Sequence, residues 1–296
     1  MLDNTLKTML VAVRKAGTYI SRDFYEGGAK LQLKGVSSFF TKTDLYSENN
    51  IIKELFNAGY KYYFLTEENS DLAYTYSMQA QNSNLIWVLD PLDGTANFIN
   101  NHPLIGISLA LAKGKKIEDN KFEIDSIVIG LIYLPIICEA YFSTLEGAFL
   151  SDKNGNNIRL HNKIIGKLEK SALAHSMFMF SFPKEDTNCH IDEVRKFDTI
   201  IEKIKAFQCC LRISGSIVSD MIYLLTGKAV AIMHYSCKIW DVAAGFGILK
   251  QSNYKFISPI TGEYLHSPES LCENGFIAGN SSVINLLRRE LFERTN

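Results

Sequence analysis

The stretch LIWVLDPLDGTANF, residues 85–98, constrains the fold more than any other part of the chain. Leu85 to Leu89 is apolar without alternation, which predicts a strand buried on both faces, as in a layered α/β sheet. It runs straight into Asp90-Pro91-Leu92-Asp93-Gly94-Thr95. Asp90 then stands at the carboxyl end of a buried strand, where α/β sheets present their sites. Pro91 fixes its own φ and supplies no N–H, so the chain turns there and Asp90 and Asp93 can converge. Two carboxylates that close repel one another unless a proton or a cation lies between them. Oxygen donors without His or Cys nearby favour magnesium over zinc. Gly94 admits positive φ and a close ligand, and residues 95–98 predict a helix start whose N–H groups face an anion. The expected contents are therefore a cation and a phosphate. The competing reading is an Asx-type turn with solvated aspartates.

Composition narrows the class. The 296 residues are 47% hydrophobic and 21% charged, with a formal net charge of -1. Such a chain builds a sizeable core and carries no global field for nucleic acid or an anionic membrane, so neither is expected as a partner. Lys113, Lys115 and Lys116 read as a solvated turn. Cys138, Cys189, Cys209, Cys210, Cys237 and Cys272 form no C-x-x-C pair and no zinc spacing, which suits mostly buried thiols in a reducing cytoplasm. Leu6, Leu10, Val13, Gly17, Ile20 and Phe24 predict an amphipathic first helix rather than a signal peptide. Ile127 to Ile137 is too short to span a bilayer.

A turn is expected at Lys34-Gly35, then a helix over Leu45–Gly59 with Ile51, Ile52, Leu55 and Phe56 as its apolar stripe. A strand over Tyr60–Leu65 ends at Thr66-Glu67-Glu68. Further strands are expected at Ile105–Ala112, Ile127–Tyr133 and Glu139–Phe142, with a loop over 113–123 and a hairpin turn at Asp152–Gly155. Beyond residue 150 strands and helices alternate: strand Ala172–Met179, helix Asp192–Ala206, helix Ile217–Leu225, strand Val230–Met233 and helix Val242–Leu249. With no repeat and no linker, residues 1–150 and 151–296 are expected to be two halves packed together.

Five ordered pieces carry a resemblance: Thr41-Lys42-Thr43-Asp44, Thr66-Glu67-Glu68-Asn69-Ser70, Asp90 to Phe98, Leu211-Arg212-Ile213-Ser214-Gly215-Ser216, and Trp240 to Gly245. In that order and with those gaps the chain resembles the inositol monophosphatase family of magnesium-dependent, lithium-sensitive phosphatases. The resemblance implies an α/β (α+β) fold, a layered α/β/α/β/α sandwich of the sugar-phosphatase type, often dimeric, with the site between the halves. It implies two or more Mg2+ ions: one held by Glu67, Asp90 and the Leu92 carbonyl, a second by Asp90, Asp93 and Asp241. It further implies that Asp44 accepts from the Thr95 hydroxyl to orient the attacking water, with Glu67 also in the catalytic set. Gly94, Thr95, Gly215 and Ser216 would meet phosphate or substrate, a small phosphorylated polyol or sugar.

Two positions depart from the pattern. His234 stands seven residues before Asp241, where inositol-type members carry a substrate-binding acid, and Ile217 stands where a small residue is usual. A histidine can hydrogen-bond a polyol but cannot accept from two hydroxyls as a carboxylate does. A 3′(2′),5′-bisphosphate nucleotidase of the same superfamily is the alternative enzyme, although Ala96-Asn97 replaces the charged pair such relatives commonly carry. A regulatory protein that retains the fold is the alternative from another class. Neither a G-x-S-x-G elbow nor a P-loop is present, and Gly245-Phe246-Gly247 lacks the third glycine of a dinucleotide fingerprint.

Overall fold

The structure, a computed structural model, describes residues 2–27, 31–33, 39–80, 83–118, 121–161, 168–182, 191–235 and 237–292. The turn expected at Lys34-Gly35, and Cys189, lie outside the described residues. In chain order the elements are α1 Leu2–Glu26, β1 Leu31–Leu33, β2 Phe39–Thr41, α2 Lys42–Asn57, β3 Tyr63–Thr66, α3 Asp71–Ser77, β4 Leu85–Asp93 and α4 Thr95–Ile99. Then follow β5 Gly106–Glu118, β6 Lys121–Leu134, β7 Glu139–Thr144, β8 Gly147–Ser151, β9 Asn157–Leu160, a 3-10 turn Lys170–Leu173, β10 Met177–Phe180 and α5 Ile191–Lys205. The chain continues with β11 Cys210–Arg212, α6 Ile217–Leu225, β12 Ala231–His234, α7 Ile239–Gln251, β13 Lys255–Ile257, α8 Pro268–Asn274, β14 Phe276–Gly279 and α9 Ser281–Phe292.

Strands β3 to β9 form a seven-stranded sheet in sequence order, antiparallel except for β3 beside β4. A five-stranded sheet has the order β11-β10-β12-β14-β13, with β10 parallel to both β11 and β12. The period of two along β4 explains its unbroken hydrophobicity. Trp87 and Leu89 enter the core beneath α1 and α2, while Ile86 and Val88 enter the core shared with α6, α7 and the second sheet. The outer face of the second sheet packs on α5 and α9. The order is thus helices, sheet, helices, sheet, helices: the five-layered sandwich that the resemblance implied.

The loop expected over 113–123 is instead the outer end of a long hairpin, in which β5 and β6 stay paired from Ala112 to Lys121. Its residues are mostly exposed on both faces, so no apolar alternation marks it; Lys115 pairs with Glu123 at 2.8 Å. The strand expected over Ala172–Met179 splits into the 3-10 turn and β10. Helix α2 begins at Lys42, three residues before the expected Leu45, because Thr41 and Asp44 form a capping box. At its other end Gly59 takes φ 92, as expected of a C-terminal stop.

Helix α7 ties the two sheets together at very short range. A Cβ on Gly130 of β6 would lie 2.3 Å from the Ala244 carbonyl oxygen, and one on Gly245 would lie 1.9 Å from the Met221 sulfur of α6. At Gly130 the opposing atom is backbone and cannot swing aside, so only hydrogen there lets α7 lie this close to the first sheet.

Candidate active site

Strand β4 and β5 keep register as far as Asp90 opposite Ser108 and resume at Asp93 opposite Gly106, so Pro91 and Leu92 bulge out. The Asp90 Oδ1 accepts the Leu92 N–H at 3.0 Å, which closes the turn. Gly94 follows at φ 84, a left-handed conformation that costs a residue with a Cβ, and its Cβ would also lie 2.9 Å from the Leu104 carbonyl. Thr95 then opens α4. The Thr95 hydroxyl lies 3.2 Å from both Asp44 Oδ1 and the Leu92 carbonyl oxygen.

Helix α2 holds three parts of this loop with one polar face. Residues 44, 47 and 48 stand at the i, i+3, i+4 spacing of a helix, and all are buried. Asp44 takes the Thr41 N–H at 2.8 Å and the Thr41 hydroxyl, besides facing Thr95. Ser47 donates to the Pro91 carbonyl at 2.9 Å. Glu48 accepts the N–H groups of Glu68 at 3.0 Å and Ser70 at 2.9 Å, one on each carboxylate oxygen. The segment carrying Glu67 is pinned in this way, and the Glu67 N–H continues the ladder onto the Leu89 carbonyl at 3.1 Å. Sequence reasoning missed Ser47 and Glu48. The signal was there, since they extend the face of Ile51, Ile52 and Leu55 by one turn, but only apolar positions were read as buried.

From the second half come Asp241 and Ser216. Asp241 is the third residue of α7 rather than the residue before a helix opening at Val242, and it accepts the Lys238 N–H at 2.7 Å. The Trp240 carbonyl accepts from Ser108 Oγ at 2.8 Å, fixing this helix start against β5. Ser216 caps α6, and its hydroxyl donates to Asp93 Oδ2, which also takes the Val218 N–H at 3.1 Å. Gly215, at φ 79, lies against Asn97, whose amide donates to the Leu104 carbonyl at 2.7 Å and the Ser214 carbonyl at 2.8 Å.

Burial, followed by the charges of Glu67, Asp93 and Asp241, pushes the Asp90 carboxyl far above the ordinary carboxylate range. Burial raises Asp93 to about 6 against the opposing hydrogen bonds from Ser216 and Val218. Asp44 is raised by burial too, in spite of its bonds to Thr41 and Thr95. Expected metal ligands from distant parts of the chain therefore share one electrostatic neighbourhood. Among the described residues no three His, Cys, Asp or Glu side chains form a finished ligand cage. Asp93 is turned onto Ser216 and Val218, and Asp241 onto Lys238. The chemistry of the donor set fits a hard divalent cation, because it is all oxygen and gathers round a carboxyl that burial alone would neutralise.

His234 is 4% exposed, with Nδ1 3.1 Å from Ser181 Oγ and Nε2 3.1 Å from Asp220 Oδ2. The Asp220 contact is at ion-pair distance but out of hydrogen-bond alignment, so among the described residues neither oxygen of that buried carboxylate has a hydrogen-bond donor. Both groups act on Asp93, Asp220 raising and His234 lowering its pKa. Ile217 packs into the central core.

Comparison with known proteins defines the class first. The extragenic suppressor protein suhB from Bartonella henselae superposes with a TM-score of 0.75 at 24% identity over 97% of each chain, which establishes a common fold. Inositol-1-monophosphatase of Mesorhizobium japonicum is 27% identical over 281 residues, 94% of this chain and 92% of that protein. Nus factor SuhB of Pasteurella multocida is 28% identical over 250 residues, 83% and 82% of the two chains. The family model for the inositol monophosphatase family matches residues 1–294, and the chain belongs to that family. Membership supports a phosphatase.

Proposed function

We propose that the protein hydrolyses a small phosphate monoester, a phosphorylated polyol or sugar such as inositol monophosphate, with magnesium at the acidic site. The buried Asp90 carboxyl, faced by Glu67, Asp93 and Asp241, supports this reading most directly. Such a group needs either protons or a cation, and the surrounding oxygens suit magnesium. Glu67, Asp90 and the Leu92 carbonyl would hold one ion and Asp90, Asp93 and Asp241 a second. Bound magnesium supplies positive charge to the phosphoryl oxygens and the leaving alkoxide and lowers the pKa of water.

The remaining tasks fall to the chain's own groups. With its proton directed to Asp44, the Thr95 hydroxyl offers its oxygen lone pairs to the attacking water and so sets the line of attack. The N–H groups of Gly94 and Thr95 point from the start of α4 towards phosphate oxygens. Gly215 and Ser216 form the substrate side of the site. A substrate contact by His234 requires its ring to leave Ser181 or Asp220. As expected from the family resemblance, the working form is a homodimer.

The test is release of inorganic phosphate from a panel of polyol, sugar and nucleotide phosphates, with magnesium and after chelation. Turnover of a polyol or sugar monoester that stops on chelation supports the reading. No release from any monoester overturns it, and faster turnover of adenosine 3′,5′-bisphosphate moves it to the nucleotidase branch. A second reading, a regulatory binding role, draws on the similarity to a Nus factor. Full cellular function of an Asp93→Asn variant would favour it.

A further inference from the structure

Helix α6 opens on a serine whose polar groups are all occupied. Ser216 is 2% exposed. Its N–H donates to Ser214 Oγ and its carbonyl accepts the Ser214 hydroxyl, both at 3.0 Å, along with the Asp220 N–H at 3.1 Å. A hydroxyl has one proton and two lone pairs. The Ser216 proton goes to Asp93 Oδ2, and the oxygen takes the Ser219 N–H at 3.1 Å. Its second lone pair meets the Ser219 hydroxyl at 2.8 Å; with the Ser216 proton already placed, Ser219 is the donor of that bond. Ser219 is buried as well. Ser216 therefore borders the substrate side of the site with no polar group left to offer a ligand.

An N-cap serine needs only its oxygen to accept an N–H. The hydroxyl proton is not required by the cap, and here it is directed to a carboxylate 123 residues away in the chain. Asp93 Oδ2 takes the Val218 N–H too, at 3.1 Å, so both bonds fall on one oxygen. Val218, Met221 and Ile222 anchor this helix start in the central core, which makes the donors rigid.

We propose that Ser216 and Ser219 are positioning residues for Asp93: the Ser219 hydroxyl orients that of Ser216, which fixes Oδ2 and presents Oδ1 to the cation. Presentation to a cation rests on the function proposed above; the hold on Asp93 does not. Magnesium tolerates little departure from octahedral geometry, so a carboxylate left free to swing binds it more weakly. Removing a group that orients a ligating carboxylate typically costs roughly 10–100-fold in metal affinity.

Ser216→Gly removes the hydroxyl while keeping a residue that caps nearly as well. In metal-free protein it should shift the denaturant midpoint at least about twofold further in the native chain than in an Asp93→Ala chain, where the hydroxyl has no target. Equal shifts overturn the hold on Asp93. Calorimetric titration with magnesium chloride, without substrate, reads the consequence. Ser216→Gly should bind magnesium about tenfold more weakly, Ser219→Ala should also bind it more weakly, and Ser216→Thr, which keeps the hydroxyl, should match the native chain. Threonine and glycine cap about equally well, so a serine acting only as a cap would not separate Ser216→Thr from Ser216→Gly. Native affinity in Ser216→Gly or Ser219→Ala overturns the proposal, as does an equal loss in Ser216→Gly and Ser216→Thr. If the native chain binds no magnesium, the proposed function falls, and the metal-free comparison still decides the hold on Asp93.

Discussion

Asp90 is nearly sealed from solvent, and its Oδ1 accepts the Leu92 N–H against the charges of three other carboxylates. Asp90→Asn keeps that acceptor and removes the charge. At pH 8 the metal-free variant should be more stable than the native chain by roughly 1 kcal/mol or more. It should also lose the stabilisation by magnesium and at least ~100-fold in phosphate release. Thermal melts with and without magnesium, beside the phosphate assay, check all three outcomes. Asp93 adds a pH dependence of definite sign. Its folded carboxyl holds a proton up to about 6, above the ordinary value, so its contribution to stability is full at low pH and is lost as pH rises through about 6. Denaturant titrations of the metal-free protein at several pH values should show that loss, with magnesium offsetting it at the upper end.

Helix α2 shows what an element contributes beyond its apolar stripe. Its apolar turns anchor it beneath the first sheet, and its first turns spend buried Asp44, Ser47 and Glu48 on the site. Glu48→Gln leaves one of the two bonded N–H groups facing an amide NH2, a loss of about 1–3 kcal/mol locally. Metal affinity measured by calorimetry should fall several-fold, and the amides of Glu68 and Ser70 should exchange faster, with the fold intact by circular dichroism. Native affinity with exposed amides would mean that Glu48 does not act through Glu67. Hairpin β5–β6 illustrates the opposite case. Its outer end is largely exposed, with Phe122 and Ile124 its apolar contacts to the core, so the sequence offers little periodicity there, and the pairing of Lys115 with Glu123 and its neighbours makes it a strand.

Across the whole molecule, function depends on how closely α7 is set between the two sheets. Gly130→Ala places a methyl group against the Ala244 backbone oxygen, which cannot move without lifting the helix. Stability should drop by about 1–3 kcal/mol or more, read as a lower denaturant midpoint, and metal affinity should fall with it because Asp241 rides on the same helix. No helix among the described residues is long and apolar enough to cross a membrane.

What the sequence determined by itself is local. Apolar run, proline, glycine and two acids dictate a buried strand ending in a tight turn, because those choices act through φ, ψ and a period of two within a dozen residues. Helices α5 and α6 and the buried strand β4 were legible in this way, and the five layers through the ordered motifs. The tertiary structure alone decided which distant groups share a space: Asp241 beside Asp90, Glu48 beneath the Glu67 loop, His234 between Ser181 and Asp220, and the Cys237 thiol on the Leu271 carbonyl. Such encounters have no period to read. They follow from the packing of helices and sheets far apart in the chain, where the burial of apolar surface sets the positions and the polar groups must answer to them.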